Sequence, residues 1–554
     1  MVGLSARALV ARASCTGEPL YLNIAVSYDI APAIEQIARS YNNQTHIADG
    51  RCFEVEITPG DSAAVAAQIE GRATVSGMSG IDAWIPDSSL WVDLARNYPA
   101  AAAVLRPVAG GDIARSPLMI VTTQAVAAQT PALGGPVSWS LLLPAGFGGP
   151  PVSTGLTVDL PDPADSATGL AALIEVNRLL GDGVTARGAF TKFVESAEST
   201  QAFNSAEALA SFVASIGPPF SRRAVTVASE QAVIAYDRQN PHHQLVARYP
   251  AGTSAALGTP DLDYPFVLTT AVRQRAQAAA QFGAALRQSY AASVIRYAGF
   301  RAPGDVPDAM PASFGLSSQL LQLASAATPS EAATNLQSWE QLGLGTRQLF
   351  LIDVSAAMNQ PDGSGTQTLE QELTATASIG TRLFPENSLV GLWEIADGLQ
   401  PGEPYRDLVP IGPISAQFGL ITRDEQLSQI TGSLQAGRSS VSLYDAILAA
   451  YQYVSKSYAP GYVNVVIVLS AGVDGPHDMP LSTLLTKLRA LYNPSRKVEI
   501  INLMLGSKGN FTALREISAA TNGVSYTITS PADIGSIFIK AMTHRICDEG
   551  CAAP

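Results

Sequence analysis

The feature that limits this chain most is the recurrence of short apolar runs, each followed by a helix-length amphipathic stretch. In the second half, Gln348-Leu-Phe-Leu-Ile-Asp353, Leu389 to Ile395, Val463 to Leu469 and Val498 to Leu505 set aliphatic side chains on consecutive positions. A strand that is apolar on both faces must be covered on both faces, as in the middle of a parallel sheet. Parallel neighbours need crossover connections, usually helices. The sequence supplies them. Helices are expected over 369–383, from Ser439 through Leu443-Tyr-Asp-Ala446, over 510–521 and over 531–542, with a last strand at 524–528.

The first half follows the same rule. Leu20 to Ala25 is an apolar strand ending in Val26-Ser27-Tyr28-Asp29, and a helix over about 30–41 carries Ile34, Ile37 and Ala38 on one face. Phe53 to Ile57 is a second strand, after which Asp61-Ser62 caps a helix over 63–71. Three more loops put hydroxyls at the start of an element: Trp84-Ile-Pro-Asp-Ser-Ser89, Arg115-Ser116-Pro117, and Asp162 to Gly169 ahead of a helix over 170–180. In sheets of this class ligands bind at the carboxyl ends of strands, beside helix N-termini. Between the halves, 302–345 is dominated by Pro, Ser, Ala and Gln and reads as a linker with a short helix near 317–326.

Composition narrows the function. The 554 residues are enough for two or three domains. With 34 Lys and Arg against 47 Asp and Glu, the formal net charge is −13, which argues against a nucleic-acid grip. No run of about 18 apolar residues is present to span a membrane. Residues 1–19 carry Arg7 and Arg12 without an apolar core and read as a leader or stub, which leaves room for membrane attachment through a segment outside this chain. Cys15, Cys52, Cys547 and Cys551 allow three pairings. Cys15–Cys52 with Cys547–Cys551 would tie down both termini and implies an oxidising, extracytoplasmic setting. The segments Gly146 to Gly149 and Gly363 to Gly365 lack the lysine of a phosphate-binding loop. No paired carboxylates or Ser–His–Asp set stands in a convincing context, so an enzyme is not expected.

The order of the opening strand with Ser27, Trp84-Ile-Pro-Asp-Ser88, Arg115-Ser-Pro117, Asp162-Pro with Ser166-x-x-Gly169, Ser229-Glu-Gln-Ala232, Tyr264-Pro-Phe266 and Ala298-Gly-Phe-Arg301 resembles bacterial extracellular solute-binding proteins of the type 2 periplasmic-binding class, near the molybdate-binding-like group. The resemblance implies a two-lobed clamp over 20–303, lobe one being 20–116 plus 224–303 and lobe two 117–223. It carries ligand contacts onto Ser27, Ser88, Ser116, Ser166 and Glu230. The ligand it implies is a small polar molecule or an oxyanion.

Residues 346–545 are similar to a von Willebrand factor A domain in strand order, spacing and the Leu443-Tyr-Asp-Ala446 segment. That resemblance implies a doubly wound, Rossmann-like sheet that docks a protein partner, with a metal-ion-dependent adhesion site on its top face. Asp353 and Ser355 match the site's pattern, but Ala357, Val441 and Ala471 stand where it needs oxygen ligands. A methyl group cannot coordinate Mg²⁺, so the site reads as degenerate and Mg²⁺ as disfavoured. Ser442, Asp445 and Asp474 are the nearby oxygens that could compensate. Residues 546–554 are a cysteine-containing tail. The expectation is an exported α/β binding protein, clamp plus A-domain. Its alternatives are an adhesion scaffold without a small-molecule ligand and the binding component of a transport system.

Overall fold

The computed structural model describes residues 18–144, 156–301, 322–361 and 388–529, with 368, 371 and 537, except for 79, 182–183, 201–203, 217–221, 252–256, 420, 438 and 507–508. The helices expected over 369–383 and 531–542 lie outside the described residues, apart from 371 and 537. The chain divides into two compact units at Trp339 and Glu340.

The first unit contains β1 (Leu20–Ser27), β2 (His46–Ala48), β3 (Arg51–Gly60), β4 (Ala83–Ile85), β5 (Arg106–Asp112), β6 (Ser116–Thr123), β7 (Thr157–Pro161), β8 (Glu198–Thr200), β9 (Ala224–Ser229), β10 (Leu245–Arg248), β11 (Asp261–Leu262) and β12 (Pro265–Leu268). They form two sheets, β2-β3-β1-β4-β12-β5 and β10-β6-β9-β7-β8, with β11 on β6. β1 is parallel to both β3 and β4, as its apolar composition requires. The helix Ala31–Asn42 buries Ile34, Ile37 and Ala38, the face expected of it.

Two boundaries differ from the sequence reading. The segment from 224, assigned there to lobe one, stays in the second sheet: β9 runs antiparallel to β6 and parallel to β7. The chain returns to the first sheet only at β12. All six residues of β9 are buried, so its fate rests on which sheet has room for it, and local sequence does not record that. The expected linker is also shorter. A helix spans Pro329–Gly343, and residues 322–328 are not helical; Leu323 forms a bridge with Thr259 instead. Arg178 clamps this stretch onto the first unit, bonding Glu331 at 3.0 Å and the Ser325 carbonyl at 2.8 Å. Pro329 fits the helix start because the first turn needs no N–H there.

The second unit contains β13 (Gly345–Asp353), β14 (Leu389–Gln400), β15 (Glu403–Pro413), β16 (Gln417–Phe418), β17 (Ile421–Thr422), β18 (Tyr462–Ser470), β19 (Val498–Leu505) and β20 (Ser525–Ile528). Its main sheet runs β15-β14-β13-β18-β19-β20, parallel except for the β14–β15 pair. Alternate residues of β13 feed opposite cores. Leu349 and Leu351 join Val466, Val468 and the helix Leu443–Lys456, while Ile352 and Val354 join Val465, Leu469 and Leu427. Both faces are therefore covered, and the sheet is doubly wound. The order turns between β13 and β18, which opens a crevice at their carboxyl ends.

Candidate functional site

In the first unit a cavity of about 30 Å³ lies at the carboxyl ends of β1, β3 and β7 and is lined from both sheets. Three helix starts reach it. Asp61 caps Ser62–Ile69 by accepting from Ala64 N at 2.7 Å, and Ser166 caps Ala167–Leu180 by accepting from Gly169 N. The third is the start of Ser205–Ile216. Gly169 is required here, since a Cβ at that position would sit 1.8 Å from the Pro161 carbonyl oxygen.

Of the five residues expected to contact ligand, Ser27 and Ser166 line this cavity. The other three are committed elsewhere. Ser88 caps the helix Ser89–Ala95 and faces a separate cavity beside Arg115, Glu175 and Arg178. Ser116 is fully buried and accepts from Gln231 N at 3.0 Å. Glu230, also fully buried, is held by Arg301 through bonds of 2.8 and 2.5 Å and by the Tyr249 hydroxyl. Both of its carboxylate oxygens are thereby engaged by the protein's own donors.

Sequence reasoning missed the cavity's acidic character. Asp29, Asp61, Asp87, Asp162 and Asp165 line it, and no Lys, Arg or His is among its described lining residues. Burial raises the Asp29 carboxyl above its ordinary value, against hydrogen bonds from Ser205 that lower it. Burial lifts Asp61 to about 6 and Asp87 to about 7, and neighbouring carboxylates add to both. Asp165 is raised by burial and by Asp162. Asp29 also joins the two sheets: it accepts from Ser205 N at 3.2 Å and from Ser205 Oγ at 2.7 Å. Asp162 accepts from Trp339 Nε1 at 2.9 Å, so the cavity wall is bonded to the helix Pro329–Gly343. The available signal was an aspartate just after each of β1, β3, β4 and β7, which reads as simple capping when taken loop by loop.

In the second unit, Asp353 sits fully buried at the crevice. Its Oδ1 accepts from Ser355 N at 2.9 Å and its Oδ2 from Ser470 Oγ at 2.7 Å. Burial raises its carboxyl, against those hydrogen bonds. Val441 and Ala471 are buried beside it in the apolar cores. Ser442 faces elsewhere, giving its N–H at 2.9 Å and its hydroxyl at 2.7 Å to Asp397, a residue the sequence reading did not single out. Burial works to raise Asp397, but hydrogen bonds from Ser440 and Ser442 and the charge of His477 hold it below the usual range. Asp474 is exposed. The N–H groups of Tyr444 and Asp445 are taken by Asp478. The structure thus brings Asp353 and Ser355 into contact, while Ser442 is bonded to Asp397 and Asp474 is exposed. Among the described residues, no three His, Cys, Asp or Glu are placed to hold a metal ion. Cys52, on β3, carries no free thiol, and Cys15, Cys547 and Cys551 lie outside the described residues.

Two sheets meeting at a polar cavity form a two-lobed module, and the unit that follows is built on a doubly wound sheet. Residues 22–301, just over half of the chain, match the bacterial extracellular solute-binding protein family, and the chain belongs to it. Membership of an extracellular family points to an extracytoplasmic protein. A relative 23% identical over 549 residues, covering 94% of this chain and 76% of its own length, is the uncharacterised protein Rv1836c of Mycobacterium tuberculosis H37Rv. Similar solved structures include the sulfate-binding protein SubI of M. tuberculosis H37Rv, at 17% identity and a TM-score of 0.37, covering 57% of this chain and 96% of that one. The von Willebrand factor type A protein of Catenulispora acidiphila matches at 15% identity and a TM-score of 0.29, covering 37% of this chain and 43% of that one. Among the described residues, no helix is long and apolar enough to cross a membrane.

Proposed function

We propose that this chain is an extracytoplasmic binding protein in which a ligand clamp is joined to an A-type module that docks a protein partner without a metal ion. The clamp's lobes are 20–115 with 263–301, and 116–262. The observation that carries the reading is the polar cavity between the two sheets, bridged by the bonds of Asp29 to Ser205. Such a bridge forms only when the lobes are together, so it favours a closed state that a ligand can stabilise further. Asp162, bonded to Trp339, ties the cavity wall to the helix Pro329–Gly343.

The docking role rests on fold-level analogy, and its metal-free form rests on Ala357, Val441 and Ala471. The Asp353 carboxylate already receives two hydrogen bonds, which offset part of the cost of its burial. Pairing of Cys15 with Cys52 and of Cys547 with Cys551 completes the proposal and fits an exported protein. A scaffold without a small-molecule ligand is the second reading, favoured by a cavity of only about 30 Å³, room for a water molecule or two. Native mass spectrometry of the intact, gently purified chain in Mg²⁺-containing buffer separates the two. A stoichiometric organic adduct supports the clamp, a bare polypeptide mass supports the scaffold, and a bound Mg²⁺ overturns the metal-free docking module.

A further inference from the structure

Resting on the clamp reading, we infer that the cavity between the two sheets of the first unit binds an organic ammonium group, and that it rejects oxyanions. Five aspartates line it with no basic side chain among the described lining residues. An oxyanion would meet that field with nothing to offset the repulsion. The helix N-termini that would attract an anion are already occupied by the protein's own acceptors. Asp61 caps Ser62–Ile69, Ser166 caps Ala167–Leu180, and the Asp29 carboxylate sits at the start of Ser205–Ile216.

Two polar atoms in the wall are left without partners. Thr168 is 2% exposed and its Oγ1 has no hydrogen-bond partner. Asp87 Oδ1 is buried and likewise unpaired. Buried polar atoms are nearly always satisfied, so two orphans in one cavity wall mark positions that a donor is meant to fill. Both can accept, and a primary ammonium brings three donors and the positive charge the site lacks. A chelated metal fits less well, because among the described residues no three acidic or His side chains converge for coordination. The size agrees: about 30 Å³ admits a head group of this kind but not a whole metabolite, whose remainder would lie toward exposed Asp165 at the mouth.

The test measures melting of the full chain at pH 7.5 in methylammonium chloride, sodium chloride or sodium sulfate at equal ionic strength. The same measurements are made on Asp87→Asn and, because a buried change there can compromise folding, on Thr168→Val. Methylammonium is expected to raise the wild-type melting temperature above the sodium chloride control by about 2 °C, the scale of a ligand at about ten times its Kd. Both variants should lose most of that rise. A rise in sulfate alone overturns the ammonium assignment and leaves the clamp standing. A methylammonium rise that survives in both variants also overturns the assignment, since binding then lies elsewhere. No rise with either probe in the wild type overturns the ammonium site, while the clamp still stands or falls on the organic adduct sought by native mass spectrometry.

Discussion

Glu230 offers the sharpest test of how this clamp is built, because sequence motifs cast it as a ligand contact and the structure makes it a buried strut. It is fully buried, and the Arg301 side chain facing it is 10% exposed. Arg301 Nε and Nη2 bond the two carboxylate oxygens at 2.8 and 2.5 Å, and the Tyr249 hydroxyl adds a third bond. Arg301 also forms a bridge with Arg115, next to where the chain crosses between the two sheets. Replacing Arg301 by Met keeps apolar bulk and strands the carboxylate. Breaking one partner of a buried pair costs about 3–5 kcal/mol. With an m-value of about 3 kcal/mol/M, the urea midpoint should fall by about 1–1.7 M. Tryptophan fluorescence follows this directly, since Trp84, Trp91, Trp139 and Trp339 lie in the first unit and only Trp393 in the second. The double variant Glu230→Leu, Arg301→Met removes both charges and should recover most of the loss, short by about 1 kcal/mol for the stranded Tyr249 hydroxyl. A single variant whose midpoint stays within about 0.3 M of wild type would refute the strut.

The remaining predictions concern charge, metal and thiols. Asp61 and Asp87 are raised in the folded state to about 6 and about 7 from 3.8, so between those limits the folded chain holds more protons than the unfolded one. Stability of the first unit should therefore be full below about pH 4 and fall by about 1–3 kcal/mol as pH climbs through 7; Asp87→Asn should flatten that profile in melting experiments, and an unchanged profile refutes the assignment. Mg²⁺ should leave the wild-type melting temperature unchanged; a rise that disappears in Asp353→Ala would restore the adhesion site. The triple variant Ala357→Ser, Val441→Thr, Ala471→Asp should gain Mg²⁺ binding by calorimetry, provided the added oxygens converge on Asp353. Thiol titration of denatured, unreduced protein should find no free cysteine, and four would sink the disulfides.

How much of this was legible in advance varied by element. The strands of the second unit were readable because both faces are buried, which leaves aliphatic runs that suit a sheet covered on both sides. Its edge strand β15, Glu-Pro-Tyr-Arg-Asp-Leu-Val-Pro-Ile-Gly-Pro, was missed because a half-exposed edge tolerates charge and proline. In the first unit, Ser27 and Ser166 were named through the family resemblance, Ser166 also standing in a loop with hydroxyls at an element start, and both line the cavity. Ser88 and Ser116 carry the same local signature, yet Ser88 caps a helix and Ser116 accepts from Gln231 N, while Glu230, carried over by the resemblance, is held in an ion pair.

Sequence alone determined what each short segment had to be: a strand covered on two faces, a helix with one apolar stripe, a capped turn. It determined these because they depend on neighbours a few residues away. Tertiary structure decided which segments meet. It put β9 in the second sheet, brought Asp29 to Ser205 across 176 residues and Trp339 to Asp162 across 177, and drew five separate aspartates into one cavity. Each aspartate is unremarkable in its own turn. Their shared field exists only once the two sheets close, because charge interactions depend on distance in space and local sequence records only distance along the chain.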